Sequence, residues 1–322
     1  MNGSTIRILH RIGILAGVAL ALTVSSAQGQ AATADVWMVR TYRIGATSTC
    51  PVKADQFDYF QLDARRAWTR SSREAFFETE DPERPTVVFA HGGFTDDSWA
   101  TCLVLGLAQT LRSYGGGRPV RVVLWKWPAE RSARRLRPAL WVNMARADFE
   151  GLLLARWLRQ FDPQTPPILI GYSAGCRIIG RGLSRFAADP GPDSTPATEA
   201  RFRALLVAGA LDADALLPSR HSSGALDAVE TLVVTRHRAD RALRFYPRLY
   251  PGPGPQAMGF VGPVVPRLDP HGPRVELLDL TAWVAGRHDF LNYLGASPLA
   301  ARIADLVFAE HPVAGVAVAA AR

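Results

Sequence analysis

Gly171, Tyr172, Ser173, Ala174 and Gly175 set a serine between two glycines, just after the apolar run Ile168 to Ile170 and at the head of a helical pattern. A serine hydroxyl is a weak nucleophile until a base takes its proton, and a sharp strand-to-helix turn solves the access problem by projecting Oγ above a sheet. The glycines let strand and helix approach closely around a backbone conformation that few residues tolerate. Five residues of this kind also arise by chance, so the buried strand before Ser173 and the helix after it give the pattern its weight.

His91, Gly92, Gly93 and Phe94 end another apolar run about 80 residues upstream of the serine. Such a turn can supply backbone N–H groups to the negative oxygen of a tetrahedral intermediate, which fixed donors stabilise without reorganising. The expected pair is Ala174 with Gly93 or Phe94. His91 is read as a structural histidine bracing that loop in preference to an acid or base.

A base and an acid complete the chemistry. In sheets that carry a nucleophile elbow, the chain order is serine, acid, histidine, with the histidine after the last strand. His288 fits, because it follows the apolar strand Val275 to Leu280 and the short stretch Thr281 to Arg287. His271 precedes that strand, His311 lies at or beyond the last helix, His221 has no strand directly before it, and His10 belongs to the N-terminal leader described below. Two carboxylates suit the acid, which fixes the imidazole tautomer and stabilises its charged form. Asp240 follows Thr231 to Thr235, and Asp212 follows Ala204 to Ala208. Asp240 is favoured because its strand comes immediately before the histidine-bearing one, and Asp212 stays as the alternative. Asp289 is read as a surface or supporting group.

The elements that must position these residues alternate. Thr86 to Ala90, Val120 to Trp125, Ile168 to Ile170, Ala204 to Ala208, Thr231 to Thr235 and Val275 to Leu280 are short continuous apolar runs, the pattern of strands buried on both faces. Helical patterns cover about Ser98 to Leu111, Leu140 to Phe161, Ala174 to Ala188 and Pro298 to Ala309. Val36 to Ile44 reads as an edge strand, and Phe57 to Leu62 with Arg73 to Glu78 as further strands or a hairpin. Asp189 to Thr198 and Pro251 to Pro273 read as loops, the second ordered over one end of the sheet. Repeated βα units of this kind give an α/β class with a mostly parallel central sheet flanked by helices on both faces.

With these residues in place, the chain resembles the α/β-hydrolase superfamily, over about Thr86 to Phe308. More narrowly it is similar to a poorly characterised bacterial branch with a Trp-Pro turn after one strand, matched by Trp127 and Pro128, and an Asp-Arg-Ala-Leu segment near the acid, matched by Asp240 to Leu243. The resemblance implies the α/β-hydrolase fold, Asp240 as acid and His288 as base. Ala174 stands where many members carry methionine and Tyr172 where histidine is frequent. Both departures alter the pocket wall and neither removes a reacting group.

At the N-terminus, Arg7 and Arg11 precede the apolar run Ile12 to Val24 and the small residues Ser25, Ser26 and Ala27, the order of a secretory leader. Its core of about a dozen residues is too short to span a bilayer. Cleavage is expected after Ala27, with Ala32 and Ala34 marking a second site, which leaves one hydrolase domain over 35–312 and an apolar tail, 313–322, that frays. An exported chain, periplasmic or extracellular, permits a disulfide, and of the three cysteines Cys50 and Cys102 are the expected pair, with Cys176 packed in a helix.

The net charge of +8 falls by two with the leader and is almost wholly arginine, the mark of a solvated basic surface. Arg177, Arg181 and Arg185 recur every four residues and are read as one solvated helix face; Arg131, Arg134, Arg135 and Arg137 form a basic cluster that could line the site's rim. Trp125, Trp127 and Trp141 suit core packing or an apolar pocket. No HExxH, paired CxxC or other clustered ligand spacing is present, so no metal and no cofactor are expected, nor is nucleic acid a partner. The expected activity is hydrolysis of a small-molecule carboxylic ester or thioester through an acyl-enzyme on Ser173. Acyl transfer by the same triad and a non-catalytic envelope binding protein are the alternatives.

Overall fold

The computed structural model describes residues 35–42, 56–130, 135–189, 201–267 and 272–309. The leader, Cys50 with its expected bridge, Arg131 and Arg134, most of the 189–198 loop, His271, His311 and the tail lie outside them. Among the described residues a nine-stranded sheet forms the frame, in the order β3-β2-β1-β5-β4-β6-β7-β8-β9. Its strands are β1 (Asp35–Arg40), β2 (Asp58–Leu62), β3 (Trp68–Ser71), β4 (Thr86–Ala90), β5 (Arg121–Lys126), β6 (Ile168–Tyr172), β7 (Phe202–Val207), β8 (Val229–Arg236) and β9 (Arg274–Asp279). Only β2 runs against its neighbours, β1 and β3; every other pairing is parallel.

Between the strands come α2 (Asp97–Tyr114), α3 (Leu136–Leu158), α4 (Ala174–Ala188), the single turn α6 (Met258–Val261) and, at the end, α7 (Phe290–Leu294) and α8 (Ser297–Phe308). The apolar strands explain the layering. Along β4, Val87 and Phe89 pack into the layer with Leu103 and Leu107 of α2 and Leu299 and Ile303 of α8. The intervening Val88 and Ala90 pack into the opposite layer with Leu153 and Leu154 of α3 and Ile178 and Ile179 of α4. Successive side chains point to opposite faces. A strand that is apolar at every position is therefore apolar towards both helix layers, and it sits inside the sheet.

Two expectations at the N-terminal side are corrected. β1 is not an edge: it is hydrogen-bonded to β2 on one side and β5 on the other, and the edge is β3. Its run of buried residues, Val36 to Val39, already has the two-faced character of an inner strand. Arg73 to Glu78 is not a strand but a helix, α1 (Arg73–Glu78), because Ser72 caps it by accepting from the Ala75 N–H and Phe76 turns inward onto Trp37 and Trp157.

One carboxyl is buried between α3 and the sheet. Glu150 accepts from the Thr41 hydroxyl at 2.8 Å and from Trp125 Nε1 at 3.0 Å. Burial raises its pKa from 4.5 to about 8 despite those two donors. The folded chain therefore holds this proton over a pH range in which the unfolded chain has lost it, and stability falls as pH rises from about 4.5 to about 8. Glu150→Gln removes that penalty. Thermal unfolding should show the variant more stable than wild type by on the order of 3 kcal/mol at pH 8.5, with the difference closing towards pH 4.5. A gap independent of pH would mean the carboxyl is ionised in the fold.

Candidate active site

The serine sits where β6 ends and α4 begins. Its backbone is left-handed, φ 53° and ψ −117°, a conformation that costs a residue other than glycine roughly 1–3 kcal/mol and persists only where the surroundings enforce it. They do so through the neighbouring strand: Ser173 N–H donates to Val207 O at 3.0 Å, and Ser173 O accepts from Ala210 N–H and Cys176 N–H, each at 3.1 Å. The glycines are required by close approach. A β-carbon on Gly171 would lie 2.8 Å from the Cys176 backbone, and one on Gly175 would overlap Ala90 O at the end of β4.

His288 lies between β9 and α7. Its Nε2 is 2.8 Å from Ser173 Oγ and its Nδ1 is 2.7 Å from Asp240 Oδ2. Asp240 is fully buried just after β8 and caps the short helix α5 (Arg241–Arg244), its Oδ1 accepting from Leu243 N–H at 3.0 Å. Desolvation pushes this carboxyl up, and hydrogen bonds from His288, Leu243 and Tyr293 more than offset it, so its pKa is lowered and it stays ionised. Serine, histidine and Asp240, far apart in sequence, thus form one hydrogen-bonded chain. Asp212 is elsewhere. Its Oδ1 accepts from the Tyr246 hydroxyl at 2.8 Å and the Tyr250 hydroxyl at 2.7 Å.

Tyr172 lies ring against ring with the imidazole at 5.3 Å and also packs, tilted, on Phe290 at 5.1 Å. The departure at position 172 is therefore a floor for His288 rather than a group facing outward. Asp289 caps α7 by accepting from Leu291 N–H.

The upstream loop approaches from β4. Phe94 N–H donates to Ala129 O at 2.7 Å, so it is not free for a ligand, whereas Gly93 N–H has no hydrogen bond among the described residues. Ala174 N–H is likewise unused within the described residues. The two are neighbours: a β-carbon on Gly93 would sit 3.9 Å from the Ala174 β-carbon, and one on Gly92 3.2 Å from that of Ser173. His91 is buried, its Nδ1 2.9 Å from Gly92 O and its ring stacked on Trp127, whose Nε1 donates to His91 O. Burial, with Lys126 nearby, lowers its pKa to about 3, so it is a neutral brace.

The arginine face on α4 is corrected in part. Arg177 is buried and grips Asp148 of α3 through Nε and Nη2, both at 2.8 Å. Arg181 bonds His221 O, and Arg185 is exposed beside Asp189. The four-residue spacing that suggests a solvated stripe begins, at residue 177, under α3. Trp125 and Trp127 are core residues. Trp141 is exposed, its Nε1 donating to Leu249 O and its ring meeting Tyr250. Sequence reasoning passed over Tyr293 and His237. The Tyr293 hydroxyl is 2.7 Å from Asp240 Oδ2, and His237 Nδ1 is 2.9 Å from that hydroxyl. A tyrosine at the fourth position of a five-residue helix and one histidine in an Arg-His-Arg turn carry no local signal of this.

Among the described residues no group of three or more His, Cys, Asp or Glu is placed to hold a metal ion, and no helix is long and apolar enough to cross a membrane. Sheet order, a left-handed serine at the strand-to-helix turn and the chain order serine, aspartate, histidine define the α/β-hydrolase fold. The sequence matches no protein-family model and no curated protein. Solved structures to which it is similar include a thermophilic esterase of Thermogutta terrifontis, at 13% identity and TM-score 0.38 over 82% of this chain and 92% of that one. The same esterase with butyrate bound is similar at 14% and 0.38, over 83% and 91%. A Trichoderma reesei cutinase in complex with a phosphonate inhibitor is similar at 15% and 0.30, over 73% and 81%. The chemistry is therefore read from the residues of the site itself.

Proposed function

We propose that the protein is a serine hydrolase of carboxylic esters or thioesters. The single observation that supports this most is the unbroken chain from Ser173 Oγ through His288 to buried, ionised Asp240, with both bonds under 3 Å. His288 Nε2 takes the hydroxyl proton as Oγ attacks the acyl carbon. The carbonyl oxygen, now negative, is met by the unused N–H groups of Ala174 and Gly93. His288 then returns the proton to the departing alcohol or thiol, leaving the acyl group on Ser173. Water repeats the sequence: His288 takes its proton, the hydroxyl adds to the acyl carbon, and Ser173 leaves as the alcohol. Asp240 keeps the Nδ1–H tautomer and balances the imidazolium in both halves.

A fluorophosphonate probe tests the reading on purified protein. Stoichiometric labelling at Ser173, absent in Ser173→Ala, is the expected result; a wild-type protein that hydrolyses short acyl esters without labelling, or that labels equally in Ser173→Ala, would place the nucleophile elsewhere. Export belongs to the same proposal and rests on the leader pattern of residues 1–27. The secreted product should begin at Gln28 by intact mass.

A further inference from the structure

Asp240 has three donors, and two of them share one oxygen. His288 Nδ1 and the Tyr293 hydroxyl both reach Oδ2 at 2.7 Å, while Leu243 N–H takes Oδ1. Behind Tyr293 stands His237, fully buried, with Nδ1 2.9 Å from the phenol oxygen and no partner for Nε2 within hydrogen-bonding distance among the described residues. Proton counting orders this chain. An ionised carboxylate only accepts, and a tyrosine has one proton to give. Tyr293 therefore donates to Asp240, and His237 donates from Nδ1 to the phenol oxygen, with the Val284 backbone also close to its ring. Burial supports both assignments: desolvation, and after it Asp240, holds Tyr293 far above the usual phenol range, and desolvation lowers the pKa of His237, keeping it neutral.

From this geometry we infer that Tyr293 is a positioning residue for the proposed reaction, setting through Asp240 how firmly His288 holds its proton, and that His237 fixes the direction of the Tyr293 hydroxyl. The inference rests on the reading of His288 as base. A carboxylate oxygen shared between two donors gives less to each, so Tyr293 draws charge away from the Asp240–His288 bond. The other titratable groups facing the chain are Tyr172 of β6, Cys176 of α4, Asp279 at the end of β9 and Asp289 beside His288. Burial keeps Tyr172 and Cys176 protonated, so neither competes for the donors.

The test is Tyr293→Phe, which keeps the buried ring and deletes the hydroxyl. Two readouts are taken on folded protein, with thermal unfolding as the check on folding. The first is the His288 titration followed by NMR on histidine-labelled protein, which needs no turnover. The second is the pH profile of kcat/KM on a short acyl ester. The His288 midpoint should rise by about one unit, the scale of one lost hydrogen bond to a charged group, and the acid limb of the profile should move with it. His237→Phe should give a smaller rise in the same direction, and His237→Asn, whose amide nitrogen takes the place of Nδ1 and still donates to the phenol, should return the wild-type midpoint. An unchanged or lowered midpoint in folded Tyr293→Phe overturns the inference, whatever the activity. A raised midpoint in a protein that neither labels at Ser173 nor cleaves esters upholds this hydrogen-bond chain and overturns the hydrolase reading instead.

Discussion

Ser173→Ala and His288→Ala should each lower kcat for the proposed ester hydrolysis by about five to six orders of magnitude, and the double variant should be no slower than either single one. This follows from how the groups are wired. In the proposed mechanism Oγ is nucleophilic only while Nε2 at 2.8 Å takes its proton, so deleting either partner disables the same step, and the second deletion finds nothing left to remove. What persists is binding and the amides at Gly93 and Ala174. Asp240→Asn should lose less, about three to four orders, because the amide still reaches His288 but no longer balances its charge. Asp212→Asn, bonded to Tyr246 and Tyr250 and not to His288, should remain within about tenfold of wild type. Steady-state rates on one short ester for all five variants give the comparison. An Asp212 loss larger than the Asp240 loss would mean that the imidazole turns to the other acid during turnover.

The strands that position this site were legible because burial on both faces leaves its mark in the sequence. Val87 to Ala90 and Leu205 to Val207 must satisfy two helix layers at once, so each reads as an unbroken apolar run. The same reasoning went astray at β1, which reads as an edge. Nothing local to β1 reports that β2 and β3 fold back on its outer side. Ser72 and Phe76 decide α1 through a single cap and one inward ring, a signal too local to stand out in a six-residue segment. Which histidine and aspartate lie in hydrogen-bonding line with Ser173 followed from chain order, since elbow and strands fix where loops emerge. Second-layer groups did not: Tyr293 and His237 meet over 56 residues of separation through one hydroxyl. Arg177 misled for a related reason. Spacing of four residues defines a helix face but not what covers it, and Asp148 covers the first of the three.

Gly175→Ala provides the sharpest test of the elbow because two rules oppose each other there. Helix propensity favours alanine over glycine in a helix by about 1 kcal/mol, which alone would stabilise α4. Packing opposes it. The added carbon would overlap Ala90 O and lie 2.9 Å from His91 O, and both are backbone atoms with no rotamer to move. Relief requires α4 to back away from β4, which carries Ala174 N–H and Ser173 out of line with the Gly93 loop. Overpacking against backbone should win, lowering stability by more than about 2 kcal/mol and Tm by at least about 4 °C, with activity falling even in the molecules that stay folded. Gly182→Ala, on the same helix, supplies the contrast. Its new carbon meets the end of the Leu154 side chain at 3.1 Å and Gly151 O at 3.3 Å, so a small rotation of one leucine takes up most of the strain. Its stability should change by less than about 1 kcal/mol. Equal losses in the two variants, measured by thermal unfolding, would show that α4 tolerates no added volume anywhere and would remove the special status of the Gly175 contact with β4.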